Sequence, residues 1–502
     1  MATASISKGA TPGQDSLEAK WTGYTVFCAV SAALAAFNSG YNVGVANAPE
    51  QVVRECVGVT FEQKNAALPG CIPMDGNVWG FAIGAFALGG MVGGISASPI
   101  MNAIGRRKTL IFNNILFLIG GLLMAFSTTV AQFIIGRVVV GMASGVGSVV
   151  APVYVSEVAT LKYRGAFGTL VQLNMVIGIL FAQLLGLGLS NAPGWRILFG
   201  ITIAPSIVQV VFLLFTVETP AFLISRGNED EAANVLTRLR RGFNTYSELN
   251  AIIDSQGGKR AGRKASQSDD AASIERASVE SCTEQAMSLI QIIRSPMLKV
   301  LIIAVVVHAM QQLTGINSVF FYSTSMFSAA FGGEAARGVT VGIGALNFVM
   351  TIITIIVVDR AGRKVLLLGS TAGMVLMSVI IIIGSVYKQN IVVVVAVFLF
   401  VACFAVGLGP VPWMLVPELF PTKAVGAASA TALGVNWLSN FLVGQLFPLI
   451  NTGLQDYSFL VFAVTGTLGF IFVYFQLVET KGKTVEEVHA ELLGDRAMTS
   501  EH

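Results

Sequence analysis

Two adjacent glutamines, Gln311 and Gln312, precede Leu313-Thr314-Gly315-Ile316-Asn317-Ser318 in a stretch with no charge between Lys299 and Glu334. An apolar run, Val300 to Val307, leads into them, and Val319-Phe320-Phe321-Tyr322 follows. That length is enough to cross a bilayer as a helix, which needs about 20 mostly apolar residues. In hydrocarbon an unpaired amide costs roughly 4–8 kcal/mol, so Gln311, Gln312 and Asn317 should face a water-filled cavity rather than lipid. Gln311, Ser318 and Tyr322 can share a face at helical spacing, with Asn317 beside them. Neutral amides next to aromatic rings suit a neutral, polyhydroxylated ligand better than an ion. A single amide of this kind reads as glue between helices. The cluster beside a glycine reads as a binding site.

The composition says what must position these residues. Of 502 residues 54% are hydrophobic and only 12% charged, with a mean hydropathy of +0.73. That is the balance of a polytopic membrane protein rather than a soluble domain. The net charge of +3 makes no case for nucleic acid. Twelve spans are expected, near 22–45, 78–100, 109–127, 130–154, 166–188, 195–216, 298–322, 338–358, 365–386, 391–416, 427–448 and 457–477. They divide the chain into a tail (1–21), a six-helix bundle (22–216), a polar linker (217–297), a second six-helix bundle (298–477) and a tail (478–502). The Ser-rich middle of the linker, Gly257 to Gln285, reads as flexible, and its flanks, such as Asp230 to Arg240, as short helices. Met1 to Lys20 lacks the apolar core of a cleaved signal.

Lysine and arginine gather in one set of loops: Arg106, Arg107, Lys108, Lys162, Arg164, Arg360, Arg363, Lys364 and Lys423. The opposite set offers Arg54 and Lys64, offset by acidic neighbours. The positive-inside rule then places both termini and the linker in the cytoplasm. Cys56 and Cys71 share one polar loop on the other side and can pair if it is extracellular.

The halves repeat. Gly105-Arg106-Arg107-Lys108 returns as Gly362-Arg363-Lys364, Ser156-Glu157 as Pro417-Glu418, and Val217-Glu218-Thr219 as Val478-Glu479-Thr480, in one order and at nearly constant offset. Such parallel repeats with a site between them are a transporter architecture. Glu157, Glu218, Glu418 and Glu479 can pair with Arg106, Arg107, Arg164 and Arg363 across helix ends. Positive-inside bias explains the arginines but not four matched glutamates, which points to a salt-bridge gate.

Arg137 lies inside the fourth span and needs a partner there, unless it snorkels to the interface. Glycine pairs at four-residue spacing, Gly89 with Gly93, Gly90 with Gly94 and Gly141 with Gly145, let helices approach closely. Gly407-Leu408-Gly409-Pro410-Val411-Pro412-Trp413 breaks the tenth span, since proline removes a donor and blocks the preceding turn. Trp413 and Trp437 sit away from span ends, and an indole can stack on the C–H face of a sugar ring while amides satisfy its hydroxyls. His308, three residues before Gln311, reads as a neutral hydrogen-bonded histidine rather than a proton relay. Gly482-Lys483-Thr484 imitates the end of a phosphate-binding loop, but Leu477 stands where its first glycine is required, so no nucleotide is expected. No metal-spaced cluster and no nucleophile–base arrangement supports an enzyme. In the linker, Arg263-Lys264-Ala265-Ser266 could accept phosphate, although an inert solvated linker reads better.

Together these residues resemble the sugar porter family of the major facilitator superfamily, over roughly Trp21 to Leu492. The match is nearest to facilitative glucose transporters, through Gly40-Tyr41-Asn42-Val43-Gly44-Val45-Ala46-Asn47-Ala48-Pro49, Gln311 to Asn317, the broken tenth span and Val478 to Thr484. The resemblance implies an all-α membrane protein whose two six-helix bundles rock around a central hexose site. Sugar contacts would come from Gln172, Gln311, Gln312, Asn317, Asn347, Trp413 and Asn436. Phe404 and Trp437 would line the cavity, Phe320 and Tyr322 would gate it, and Asn42 and Arg137 would belong to the same cavity-and-gate set. Phe321 stands where a gating tyrosine is common, Ala405 replaces an acidic residue, and Val425, Ala103 and Ala221 replace arginines.

The function implied is facilitative uniport of hexose, glucose foremost, in the plasma membrane. The expected partners are a small sugar and the lipid bilayer, and no cofactor is expected. A proton-coupled symporter and a non-transporting sugar sensor are the rival readings. Proton-driven relatives carry an aspartate where this chain has Asn42, which cannot titrate. The tail after Glu479 holds one amphipathic helix, opened by a capping box at Thr484-Val485-Glu486-Glu487, and is short for a signalling segment.

Overall fold

In hydrocarbon each backbone amide must be satisfied within its own segment, so long apolar stretches become helices. The computed structural model describes residues 21–64, 66–255 and 287–493, and the regular structure of these is helical, with no strand among them. The first half supplies α1 (Gly23–Gly44), the short α2 (Glu50–Arg54) and α3 (Phe61–Lys64), and α4 (Gly76–Ile104). It continues with α5 (Arg106–Ala125), α6 (Val130–Val158), α7 (Arg164–Leu189), α8 (Gly194–Gly200) and α9 (Ile203–Leu214). The linker holds α10 (Pro220–Ser225), α11 (Glu229–Leu239), α12 (Tyr246–Ser255) and α13 (Leu289–Arg294). The second half has α14 (Leu298–Leu313), α15 (Ile316–Phe331), α16 (Gly333–Ala361), α17 (Arg363–Val386) and α18 (Asn390–Val406). It ends with α19 (Val411–Leu419), α20 (Thr422–Leu454), α21 (Leu460–Gln476) and, in the tail, α22 (Val485–Leu493).

Among the described residues, 11 helical stretches are long and apolar enough to cross a membrane, and α21 is a shorter apolar helix at the twelfth position. The chain is a multi-pass membrane protein. Its seventh span differs from expectation. It runs from Leu298 to Phe331, beyond the expected end at 322, and it is broken between α14 and α15. Gly315 makes the break with φ +94°, a left-handed conformation, under the ring of Phe462. The tenth span breaks where its prolines require, between α18 and α19. The middle of the linker, including Ser266, and both chain ends lie outside the described residues.

The two ends of the helix bundle are different in kind. The linker side carries α10 to α12, and the disulfide side carries the loop closed by the Cys56–Cys71 bond. That bond answers the question the two cysteines left open. The loop returns to α2, with Ile72 N–H donating to the Val53 carbonyl at 2.9 Å, and is held from α8 by Trp195 Nε1, 2.7 Å from the Gly70 carbonyl. On the linker side Arg240 pairs with Glu248 at 2.7 Å and donates to the Val158 carbonyl at 2.8 Å, which docks the linker helices on the end of α6. Thr484 and Glu487 cap α22 reciprocally, as their spacing predicts.

Within the first half the glycine pairs act as the sequence suggests. A Cβ on Gly89 or Gly93 would run into the backbone of α6 at Val138 and Met142, and one on Gly141 or Gly145 into α4 at Phe86 and Gly90. The halves meet where α4 packs on α20, α7 on α16 and α1 on α15. The α4–α20 contact runs from Gly80 beside Gln445 to Gly94 beside Leu433. Further toward the linker side, Gly426 of α20 and Gly165 and Gly168 at the start of α7 have open space beside them. The halves are joined toward the disulfide side, where Asn47 of the first half bonds to α15 of the second.

Candidate functional site

The two broken spans place backbone carbonyls and side-chain amides in one buried cluster. Gln311 Nε2 donates to the Leu408 and Gly409 carbonyls, both at 2.8 Å, so it ties α14 to the break in the tenth span. Asn436 of α20 donates to Gln311 Oε1 at 2.7 Å and to the His308 carbonyl at 3.0 Å. Gln312 Nε2 donates to Asn436 Oδ1 at 3.1 Å, and Asn317 Nδ2 donates to Gln312 Oε1 at 2.5 Å. The four amides form one chain across the break at Gly315, and all are buried. Both N–H groups of Gln311 and of Asn436 are consumed. One N–H each on Gln312 and Asn317, and the Asn317 oxygen, remain to meet a ligand. Helical spacing puts Gln311 on a face with Ser318 and Tyr322, but the turn at Gly315 resets the register. Asn317 comes to Gln312, while Ser318 bonds back to the Gly315 carbonyl at 2.7 Å.

Rings border this chain. The Trp413 indole meets the His308 imidazole edge-on, with centroids 5.4 Å apart, and is 43% exposed. His308 is buried, and its Nδ1 lies 2.9 Å from the Ala304 carbonyl, the local bond expected of a structural histidine. Trp437 is buried between Phe86 and Gly90, the packing role, with its indole N–H unpartnered. Phe404 is half-buried, and its carbonyl accepts from Gly409 N–H at 2.9 Å, closing the end of α18. The amide side chains of Gln172, which is half-buried, and Asn347, which is buried, stand outside the hydrogen-bonded amide chain.

Two further buried amides escaped the sequence reading. Asn440, one turn along α20 from Asn436, has an unpartnered side-chain oxygen. The Asn436–Asn440 spacing of four was the available signal. Gln183 of α7 is buried against Gly344 of α16 with neither side-chain polar atom hydrogen-bonded, and a lone glutamine in an apolar span gives little warning.

Arg137 is fully buried, so it does not snorkel. Its Nη1 donates to the backbone carbonyl of Asn42 at 2.9 Å, and its guanidinium lies 4.8 Å from the Phe86 ring centroid. The Asn42 side chain is otherwise engaged, donating to the Asn38 carbonyl at 2.8 Å and accepting from Thr202 at 3.1 Å. One turn away, Asn47 crosses to α15. It donates to the Phe320 carbonyl at 2.7 Å and to Ser323 Oγ at 2.8 Å, and accepts from Thr324 N–H at 2.9 Å. Phe320 therefore joins the closed seam through its carbonyl. Tyr322 hydroxyl donates to the Gly444 carbonyl at 2.6 Å, and its ring stacks on Phe447.

At the linker side the matched charges divide into two kinds. Arg106 pairs with Glu157 at 3.0 Å, and Arg363 with Glu418 at 3.0 Å, each within its own half. Glu218 and Glu479 do not take arginine side chains, contrary to expectation. Glu218 accepts the backbone N–H groups of Arg106 and Arg107, both at 3.0 Å, and Glu479 those of Arg363 at 2.7 Å and Lys364 at 3.1 Å. A helix start has unpaired N–H groups and partial positive charge, so a carboxylate from another segment caps it. Burial pushes the Glu218 carboxyl above its usual value while those N–H donors hold it down. Arg107 turns to the Leu213 and Leu214 carbonyls, at 2.8 and 2.9 Å, and Arg164 to the Ser156 carbonyl at 3.2 Å. No group of three or more His, Cys, Asp or Glu able to hold a metal is found among the described residues.

Comparison with known proteins sets this geometry beside that of relatives. The family model described as "Sugar (and other) transporter" matches residues 28–492. Solute carrier family 2, facilitated glucose transporter member 3, from Oryctolagus cuniculus is 37% identical over 490 residues, covering 95% of this chain and 94% of that protein. Member 4 from Homo sapiens is 37% identical over 491 residues, covering 93% and 91%. Among solved structures, the xylose transporter XylE from E. coli in a partially occluded inward open conformation superposes with a TM-score of 0.74 at 24% identity, covering 92% of this chain and 100% of that one. XylE described as a proton:xylose symporter bound to 6-bromo-6-deoxy-D-glucose gives 0.70 at 24% identity, covering 93% and 99%.

Proposed function

Because the chain belongs to the sugar transporter family, we propose that it is a facilitative hexose carrier, with glucose as its foremost substrate, working by alternating access. The observation that carries this reading is the amide chain Asn317–Gln312–Asn436–Gln311, buried at the junction of two broken spans with neutral polar atoms left at its end. A hexose presents hydroxyls to such groups, and Trp413 offers an indole to the apolar face of the ring. In this reading Gln172, Asn347 and Asn440 complete the site as the bundles 22–216 and 298–477 close around sugar. The linker side, which carries the Lys- and Arg-rich loops, is the cytoplasmic side, so the 217–297 linker and both tails are cytoplasmic and the disulfide loop is extracellular. Residence in the plasma membrane fits that oxidised loop. No enzyme activity is assigned, and the partners are sugar and lipid.

Asn42 argues for uniport. A proton-driven cycle needs a group that titrates opposite Arg137, and here the arginine is met by a backbone carbonyl and a ring. Sharing a fold with a proton:xylose symporter does not supply that group.

Counterflow of labelled glucose into proteoliposomes of the purified protein, with and without a pH gradient, tests both parts. Saturable counterflow that a gradient does not accelerate is expected. Absence of counterflow for every hexose overturns the carrier, and sugar-induced proton uptake overturns uniport alone.

A further inference from the structure

Three residues beyond Asn47 stands Glu50, the first residue of α2, and it is only 5% exposed. It lies at the seam between the halves. Tyr322 and Ser325 of α15 face it from the second half. Its Oε1 is 3.3 Å from Arg54 Nε, one turn along α2, while its Oε2 has no hydrogen-bond partner. Arg54 is shared, because its Nη2 is also paired with Glu55. At the nearby start of α16, Glu334 is exposed and Arg337 is turned to the Gly333 and Leu187 carbonyls. The second half thus covers Glu50 with a phenol and a hydroxyl and, among the described residues, no ion-paired cation.

A carboxylate taken out of water with one oxygen unmet favours its neutral form. Burial raises the Glu50 carboxyl to about 7, with the Glu55 charge adding to it and with partial relief from Arg54 and the Ser325 hydroxyl. The α2 backbone is fastened to the first half by the disulfide loop, whose Ile72 and Met74 N–H groups bond the Val53 and Arg54 carbonyls. Parting of the halves therefore removes the cover and leaves Glu50 in water.

We propose that Glu50 is a proton-binding site built into the extracellular seam, occupied while that side is closed and emptied to the same side when it opens. The motion comes from the alternating-access reading; the identity of the sugar does not enter. The sign follows from the two states. Closed, the carboxyl is raised; open, it returns to the ordinary carboxylate range near about 4.3. Protons then favour the closed seam as pH falls below about 7, by up to about tenfold in the closed-to-open ratio per pH unit for one proton. Because the proton enters and leaves from one side, it modulates the cycle without being carried across.

The test uses the full chain with spin labels on Ala67→Cys and Ala335→Cys, exposed sites on either side of the seam, and with Cys28, Cys282 and Cys403 replaced by alanine. Distance distributions are recorded between pH 8 and pH 5, with and without glucose. In otherwise unchanged protein the short-distance population is expected to grow at least tenfold relative to the long one over that range. In Glu50→Gln it should stay high and flat. A distribution independent of pH, or a Glu50→Gln protein that keeps the full response, overturns the proposal. A glucose-induced distance change that persists in either case would leave the carrier reading standing, so the two failures are distinguishable.

Discussion

Asn436 on the eleventh span donates to the Gln311 side chain at 2.7 Å, and Gln311 in turn holds two carbonyls of the broken tenth span. The relationship separates amides that build the site from amides that end in it. Gln311 and Asn436 have spent both donors on protein, whereas Gln312 and Asn317 each keep one N–H.

Asn317→Ala should therefore weaken hexose binding and cost less stability than Gln311→Ala, since it removes a single bond to protein, that to Gln312 Oε1. Loss of a hydrogen bond of this kind costs on the order of 1–3 kcal/mol, or about 5- to 150-fold in affinity. Gln311→Ala should cost affinity and also lower the melting temperature, because the Leu408 and Gly409 carbonyls lose their donor. Titration calorimetry with glucose beside thermal unfolding in detergent distinguishes them. Equal stability losses in the two variants would contradict the division of roles.

Asn47→Ala removes bonds to the Phe320 carbonyl, Ser323 and Thr324. These partners are buried, so leaving them unmet costs the closed seam on the order of 1–3 kcal/mol. The Ala67–Ala335 label distance should lengthen in this variant at every pH. An unaltered distribution would show that Asn47 is packing rather than latch.

Glu218→Ala and Glu479→Ala each strip the cap from a helix start. A lost cap typically costs about 1 kcal/mol, and because the two sites lie in separate halves the double variant should show the sum. Chemical denaturation followed by tryptophan fluorescence reads this. If either single variant matches the parent protein, the carboxylate is a surface charge and not a cap.

Asn42→Asp puts an ionisable group where Arg137 already approaches the backbone carbonyl at 2.9 Å. Transport should become pH-sensitive, and the sensitivity should survive in a Glu50→Gln background, where the seam site is silent. Glucose exchange rates measured from pH 5 to 8 in the double variant test it. A flat profile there would mean Arg137 does not feel position 42.

The twelve spans, the repeated Gly-Arg loops and the break at Pro410-Val411-Pro412 were legible because hydropathy, duplication and proline chemistry are local signals. Gln311, Gln312 and Asn317 were legible as a group because amides in apolar sequence are costly. Their pairing order was not, since it depends on the left-handed turn at Gly315, and one glycine in a span does not announce a break. Asn47 stands out in the sequence only as part of a family-like stretch, because its partners lie more than two hundred residues away. Glu218 and Glu479 were expected on arginine side chains because charge pairing is the contact a sequence suggests. The backbone of a helix start is an equally good donor with no letter of its own.

The self-contained amide chain bears on the half of the cycle in which nothing is carried. A uniporter must reorient unloaded after each delivery, and amides stranded without partners would oppose that return stroke. Here the vacated groups satisfy one another, Asn317 on Gln312 and Gln312 on Asn436. In the proposed cycle arriving sugar exchanges bonds with protein instead of filling a void. Such exchange keeps affinity modest and release quick, so throughput, not retention, is what this site is shaped to deliver.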